Sequence, residues 1–226
     1  MIDCTRAVSV FVCSLAVLAA TAPQATAQSP AQSNFNIYVN SAQVGTEQIT
    51  VTQDADGWTI SETGRFAAPL DLVIKEFTAR YDKAWRAREL TIDSTVRGQA
   101  STIHATVSGG SVTAELTGGP GTTPQQRTEA VDPEALFLLN PTMAPFEAVA
   151  ARLQTATPGT TLKLFQPGQG GLTGLVGPSA TERIQTVDRV INARRTLLTL
   201  QAGDKRMDLY RSGPGGWSVQ AARKGS

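Results

Sequence analysis

The stretch ITVTQDADGWTI, residues 49–60, decides the fold, because two strand patterns flank a tight turn within it. Ile49 and Val51 alternate with polar residues before the turn, and Trp58 and Ile60 restart the alternation after it. A period of two is typical of a strand with one face buried and the other in water. The Asp and Gly residues between the two runs tolerate the backbone angles of a tight turn. The stretch therefore predicts a β-hairpin.

The same pattern continues on both sides of this hairpin. Phe35, Ile37 and Val39 predict a strand before it, and further alternating runs follow as far as residue 116. About seven runs separated by short turns predict an antiparallel meander. Because aromatic residues make up only 6% of the chain, we expect a core built mostly from aliphatic side chains.

Beyond the meander, the spacing of the apolar residues becomes helical. After Ala144-Pro145, the residues Phe146, Val149, Ala150 and Leu153 recur on one face of a helix, and proline is favoured at the first helical position. This predicts one short amphipathic helix that lies on the sheet with its apolar stripe inward.

Three other stretches after the meander are interpreted from their turn and cap residues. We predict a loop over residues 118–128, a helix start at Asp132-Pro133-Glu134, and a flexible glycine-rich loop over residues 167–178. About four more strands are predicted after the last of these.

The first 27 residues have the composition of a secretory signal peptide. An apolar run over residues 7–20 follows Arg6, and Ala25-Thr26-Ala27 is a small-x-small cleavage site. The run is shorter than the ~20 residues of a membrane-spanning helix, although an uncleaved anchor remains the alternative. We expect cleavage, a flexible lead-in at 28–34, a single β-rich half-barrel domain at 35–221, a periplasmic or secreted location, and no transmembrane segment after cleavage.

Composition disfavours several classes of partner and cofactor. Cys4 and Cys13 both lie in the predicted leader, so we expect no disulfide, thiolate metal site or cysteine nucleophile in the exported chain. The net charge of +1 offers no field for a polyanion, and nucleic-acid binding is not expected. With a single histidine, His104, no metal site and no cofactor are predicted.

The sequence offers few groups for catalysis, and we predict no catalytic residue. No G-x-S-x-G motif is present. His104 lies in a strand pattern, where a residue on the strand face is the simpler interpretation than a catalytic base. Paired carboxylates are the remaining route, but a solvated strand face explains each of the candidate acids. These acids are Asp71, Glu76, Asp93, Glu115 and Glu129.

Four motifs resemble those of an uncharacterised family of exported bacterial domains, some of which precede an α/β-hydrolase domain. They are Val44-Gly45-Thr46-Glu47-Gln48, Asp56-Gly57-Trp58-Thr59-Ile60, Tyr81-x-x-x-Trp85-x-x-x-x-Leu90 and Ala144-Pro145-Phe146-Glu147-Ala148. The resemblance implies a mainly β fold, in which a curved antiparallel half-barrel sheet of about 11 strands wraps one short amphipathic helix. That architecture is similar to the half-barrels of periplasmic lipoprotein carriers. The family supplies no catalytic residues.

Three functions are compatible with this sequence. The first is an exported non-catalytic module that binds a hydrophobic, lipid-like molecule or a partner protein in a groove between sheet and helix. The second is a hydrolase or an accessory domain of one, and the third is a structural or interaction domain without a ligand. If a groove exists, we expect the larger apolar residues of the inward faces to line it, although core packing explains them equally well. These residues are Trp58, Phe66, Tyr81, Phe146, Val149 and Leu153.

Overall fold

The computed structural model describes residues 31–39, 42–119, 121–185, 190–200, 205–212 and 216–223, and for Val39 and the last two ranges it describes the backbone alone. The predicted signal peptide, residues 1–27, lies outside the described residues, as do residues 28–30 of the predicted lead-in.

Eight strands form the first sheet, in which every strand pairs with its neighbour in sequence in antiparallel orientation. This meander follows from the period-two alternation, because each short turn places consecutive strands side by side. In the hairpin turn, Asp54 Oδ1 accepts hydrogen bonds from the backbone N–H groups of Asp56 and Gly57, at 2.8 and 2.9 Å. The strands are β1 (Ala31–Val39), β2 (Ala42–Gln53), β3 (Gly57–Phe66), β4 (Leu72–Asp82), β5 (Ala87–Val96), β6 (Gln99–Ser108), β7 (Ser111–Gly118) and β8 (Gln125–Ala130).

Six strands form a second sheet, in the order β14-β13-β12-β11-β10-β9. All pairings in it are antiparallel except that of β9 with β10, which is parallel and places Leu136 opposite Leu164. The strands are β9 (Leu136–Phe137), β10 (Thr161–Gln166), β11 (Gly170–Gln185), β12 (Val190–Leu200), β13 (Lys205–Ser212) and β14 (Gly216–Arg223).

The helix α1 (Pro145–Leu153) lies between β9 and β10 in sequence and packs against both sheets. The inner face of the first sheet, defined as the face that packs on α1, carries fully buried residues such as Ile60, Phe77 and Leu90. These residues form one hydrophobic cluster with the helix and with residues of the second sheet such as Leu198. Among the described residues, no helix is both long and apolar enough to span a membrane.

The predicted class is confirmed: the fold is mainly β, with a large antiparallel sheet, a curled half-barrel sheet and one short helix. The structure adds strands in stretches that the sequence pattern did not identify. β8 falls partly in the predicted loop at 118–128, and its residues are almost all exposed, so no apolar alternation marks it. It pairs with β7 through backbone hydrogen bonds and one side-chain contact, between Thr113 Oγ1 and Thr128 Oγ1 at 3.4 Å.

The predicted helix start at Asp132-Pro133-Glu134 is wrong. Asp132 Oδ1 accepts a hydrogen bond from the Glu134 N–H at 2.8 Å, and its carbonyl oxygen accepts one from the Ala135 N–H at 2.9 Å. An aspartate side chain that accepts hydrogen bonds from nearby backbone N–H groups can cap a helix or close a turn, and Asp132 closes a turn. The chain then continues into β9 with a run of fully buried leucine and phenylalanine side chains.

The predicted glycine-rich loop at 167–178 is also wrong beyond its first residues, because β11 begins at Gly170. Its glycines allow close packing within the second sheet. A Cβ at Gly174 would lie 2.9 Å from Leu198 Cδ1, and one at Gly177 would lie 3.0 Å from Leu197 Cβ. Glycine therefore permits the neighbouring strand's leucines to cover these positions.

Candidate functional site

Two glutamates are buried on the largely apolar inner face of the first sheet, directly beneath the start of α1. Glu47 is on β2 and Glu62 is on β3, and each residue is only 2% exposed. The strand register pairs Glu47 with Gly64 and Glu62 with Ile49, so the two glutamates are diagonal neighbours. Buried acids are rare unless a specific interaction holds them, which makes this pair a candidate functional element.

The glutamate pair binds the two backbone N–H groups that immediately precede the helix. Glu47 accepts hydrogen bonds from the Met143 N–H at 3.3 Å (Oε1) and 3.2 Å (Oε2), and Glu62 Oε2 accepts one from the Ala144 N–H at 3.3 Å. Ala144 at the cap position has no side-chain hydrogen bond to offer, and Pro145 has no N–H to satisfy. The carboxylates also lie at the positive end of the helix dipole.

Burial raises the pKa of Glu47 to about 7, while hydrogen bonds from Glu62 and Met143 oppose that rise. Burial, together with the charge of Glu47, raises the pKa of Glu62 to about 9. Two hydrogen-bonded carboxyl groups in an apolar site cannot both ionise near neutral pH, so the pair retains one proton.

The hydrogen-bond pattern agrees with this protonation state. Glu62 Oε1 is buried and has no hydrogen-bond donor among the described residues. A proton on Glu62 allows its carboxyl group to donate a hydrogen bond to Glu47, which removes the penalty of an unpaired charged oxygen.

Gly64 provides the space that Glu47 occupies, because a Cβ at position 64 would lie 3.1 Å from Glu47 Cγ. We expect Gly64→Ala to lower the free energy of unfolding by about 1–2 kcal/mol, since the added methyl group presses on a buried, hydrogen-bonded side chain. Gly118→Ala is the matched control, because nothing lies within 4 Å of a Cβ there. Chemical denaturation measures both effects, and equal changes in the two variants would contradict the proposed crowding of Glu47.

An arginine fixes the opposite end of α1. Arg194 on β12 donates from Nη1 to the carbonyl oxygen of Gln154 at 3.1 Å, and from Nη2 to Ser179 Oγ at 3.3 Å. A cation at a helix C-terminus interacts favourably with the negative end of the dipole. The helix is thus held by carboxyl groups of the first sheet at its start and by a guanidinium of the second sheet at its end.

A cluster of four aromatic side chains lies near one end of the inner face. Trp58 and Trp85 stack with ring centroids 4.5 Å apart and an interplanar angle of 15°. Tyr81 contacts Trp85 at 5.8 Å and Phe137 of β9 at 6.1 Å. Both tryptophans remain partly exposed, whereas Tyr81 is buried, which raises the pKa of its hydroxyl. The cluster explains the spacing of the Tyr81-x-x-x-Trp85 motif, because Trp85 turns back onto Tyr81.

The structure brings the six predicted lining residues into one hydrophobic cluster. Of these six residues, Trp58 alone is partly exposed. The other five are fully buried, with exposures of 4% or less; they are Phe66, Tyr81, Phe146, Val149 and Leu153. In the described state, α1 is therefore packed closely on the sheets.

Three surface clefts, of about 350, 590 and 700 Å³, border the first sheet. None of the three is lined by Phe146, Val149 or Leu153. The smallest follows a polar row across β3 to β6 on the outer face, formed by Thr59, Arg80, Glu89 and Thr106.

His104 lies on the outer face of β6, and its side chain is 53% exposed. Its Nδ1 is 3.2 Å from Thr91 Oγ1, and its Nε2 is 3.9 Å from Glu89 Oε1, which is too long for a hydrogen bond. The five candidate acids are likewise exposed or partly exposed, and Asp93 forms an ion pair with Lys75 at 3.3 Å. The described residues contain no group of three or more His, Cys, Asp or Glu side chains that could hold a metal ion.

We expect His104→Ala to change the free energy of unfolding by no more than about 0.5 kcal/mol, because exposed strand-face contacts contribute little. Thermal and denaturant unfolding of the variant measure this. A loss above about 1.5 kcal/mol would show that the Thr91–His104–Glu89 row does more than cover a solvated face.

Glu47 and Glu62 were not among the candidate acids from the sequence, although the strand pattern contains the signal. Glu47 has the same parity as Ile49 and Val51 in β2, and Glu62 has the same parity as Trp58 and Ile60 in β3. A glutamate in phase with the apolar residues of two neighbouring strands must face the core. Which group the glutamate contacts in the core cannot be read from the strand, because that group belongs to the start of α1, about 80 residues away in sequence.

The chain has a weak structural likeness to a DUF1089 family protein from Pseudomonas aeruginosa. The two are 11% identical, the comparison covers 85% of this chain and 84% of that chain, and the TM-score is 0.26. No protein-family model matches the chain. No curated protein matches it significantly. A TM-score this low does not establish a shared fold, so the resemblance to a family of exported bacterial domains stays a prediction.

Proposed function

We propose that this protein is a non-catalytic binding module that works outside the cytoplasm and takes up an apolar, lipid-like molecule between α1 and the inner face of the first sheet. The observation that carries the proposal is the construction of this interface. The nine-residue helix α1 covers the largely apolar inner face of the first sheet, and polar contacts hold it at its two ends.

The packed interface corresponds to the unloaded form in this proposal. Burying each of Phe146, Val149 and Leu153 stabilises the closed state by about 1.5–3 kcal/mol. An apolar ligand that enters between the helix and the sheet covers both apolar faces again, so the burial lost when the interface opens is recovered in the loaded form. The partly exposed Trp58–Trp85 pair provides an aromatic entrance at the border of the interface.

The residues that the sequence offered for catalysis give no support to the hydrolase alternative. His104 and four of the five acids lie at exposed or partly exposed strand positions, and Asp71 lies in the turn before β4. The buried Glu47–Glu62 pair binds the start of α1. Loss of ligand uptake in every condition would favour the structural or interaction domain instead.

Binding of the neutral dye N-phenyl-1-naphthylamine between pH 6 and pH 10 tests this proposal, together with mass spectrometry of an organic extract of the purified protein. We expect saturable uptake at one or more pH values. Leu153→Ala should change the dissociation constant by about threefold or more, because Leu153 lies on the buried face of the helix.

Leu175→Ala is the matched control, since it is the same substitution at a position on β11 that is 42% exposed. It should leave the dissociation constant unchanged. Absence of saturable uptake at every pH, together with an extract free of lipid, would overturn the proposal. Equal effects of the two leucine substitutions would place the dye elsewhere on the protein.

A further inference from the structure

The Glu47–Glu62 pair has no cation to neutralise it among the described residues that surround it. β1 and β2 contain no lysine or arginine, and neither does the segment that leads into α1. The basic residues of the other surrounding elements are exposed or paired elsewhere. These are Arg65 (exposed), Lys75 (with Asp93), Arg80 (with Glu89) and Arg152 (with Glu134).

The charged groups that remain near the pair are acidic. Glu147 is buried in the first turn of α1, and Glu76 is exposed on β4. The positive partners of the pair are thus the N–H groups of Met143 and Ala144 and the helix dipole. These partners suit one negative charge, because a second carboxylate in the same apolar site is shielded from solvent and meets no cation among the described residues.

Loss of the shared proton creates two adjacent buried carboxylates that must be hydrated. β2 and β3 cannot move apart readily, since each is bonded to a strand on both sides. The start of α1 is held to the pair by three contacts from two backbone N–H groups and by side-chain packing. Lifting of residues 143–146 is therefore the movement that admits water to the pair with the smallest loss of backbone hydrogen bonds.

We propose that the proton shared by Glu47 and Glu62 latches α1 onto the sheet, and that its loss in alkaline solution releases the start of the helix. The latch itself depends only on the described geometry, whereas its use in opening a ligand site rests on the proposed function. The release is reversible, and uptake of the proton restores the closed interface.

Amide hydrogen exchange, corrected for the intrinsic dependence of exchange on pH, tests the latch without any ligand. Between pH 7 and pH 10, we expect the protection of residues 146–153 to fall by about tenfold or more in the native protein. Amides of β4 and β5, which are central in the first sheet, should keep their protection over the same range.

Glu62→Gln keeps the shape and the hydrogen-bonding capacity of the side chain but cannot ionise. In this variant, helix protection should change by less than about threefold over the same range. Glu76→Gln makes the same change of charge at an exposed position and should behave like the native protein. Helix protection that is constant with pH in the native protein would overturn the proposal, even if Glu62→Gln did not fold.

The outcomes also separate this latch from the binding function. Release of the helix at high pH without dye uptake at any pH would leave the latch intact and remove the binding function. Saturable dye uptake without a change in helix protection would support the binding function and overturn the latch. Dye uptake that increases with pH in the native protein, but not in Glu62→Gln, supports both.

Discussion

Replacing Glu62 with glutamine should abolish most of the decrease in stability that the native protein undergoes between pH 5 and pH 9. Burial raises the pKa of Glu62 to about 9, from an ordinary value of 4.5 in the unfolded chain. Within this range, the folded state retains a proton that the unfolded state has released. The free energy of unfolding therefore falls as the pH rises.

The sign follows from which state binds more protons. Both glutamates have raised pKa values, so their contribution is fully present below about pH 4.5 and is lost as the pH rises through about 7 and then about 9. Each pH unit over which one extra proton stays bound to the folded state corresponds to about 1.4 kcal/mol. We expect the native protein to lose at least about 2 kcal/mol between pH 5 and pH 9.

Chemical denaturation at several pH values measures this loss. In Glu62→Gln, the new amide can donate its N–H to Glu47 and its oxygen can accept from the Ala144 N–H, so the variant should match the native protein within about 1 kcal/mol at pH 5. At pH 9 it should be the more stable of the two. Glu76→Gln should follow the native curve, and a native curve that is flat or rises with pH would refute the shared-proton assignment.

The first sheet could be predicted from the sequence because its strands bury one face and are joined by short turns. Ile49, Trp58 and Ile60 marked a hairpin whose turn and pairing the structure reproduces. Such local patterns carry the information for a meander, since each strand pairs with the next one in sequence.

The second sheet was harder to predict because β9 and the start of β11 do not follow the period-two pattern. β9 is two residues long, buried on both sides, and pairs in parallel with β10 across the helix. The glycines at the start of β11 are typical of a loop in sequence. In the structure, their lack of a side chain lets Leu197 and Leu198 of β12 pack against them. Those requirements arise from contacts between distant segments, which a local pattern does not contain.

The candidate site likewise has one part that the sequence predicts and one part that it does not. The apolar stripe of α1 was predictable from helical spacing, and the structure buries it as expected. The polar contacts that hold the helix join residues far apart in sequence, since Glu62 meets Ala144 and Arg194 meets Gln154. Helical spacing predicted that the helix lies on the sheet, while the acidic and basic anchors at its ends required the tertiary structure.

Phe146→Ala should destabilise the protein more than any of the other proposed substitutions, with a loss of about 3–5 kcal/mol in the free energy of unfolding at pH 7. Phe146 is 3% exposed and lies in the core cluster that joins α1 to both sheets. Truncation removes the transfer free energy of the ring and leaves a cavity that a sheet held by its hydrogen bonds cannot close. Tyr38→Ala is the control, because Tyr38 is 58% exposed and its loss should cost no more than about 0.5 kcal/mol.

The same variant distinguishes a packed interface from one that is hollow before the substitution. If an empty space already existed beneath α1, removal of the ring would break fewer packing contacts. The decrease in the free energy of unfolding would then approach the transfer free energy of the ring alone, about 2 kcal/mol. In a packed interface, the new cavity is apolar, enclosed and about the size of one aromatic ring, so benzene should stabilise Phe146→Ala more than it stabilises the native protein. Equal stabilisation of the two proteins by benzene, together with a loss near 2 kcal/mol, would mean that the helix covers an existing cavity instead of a filled core.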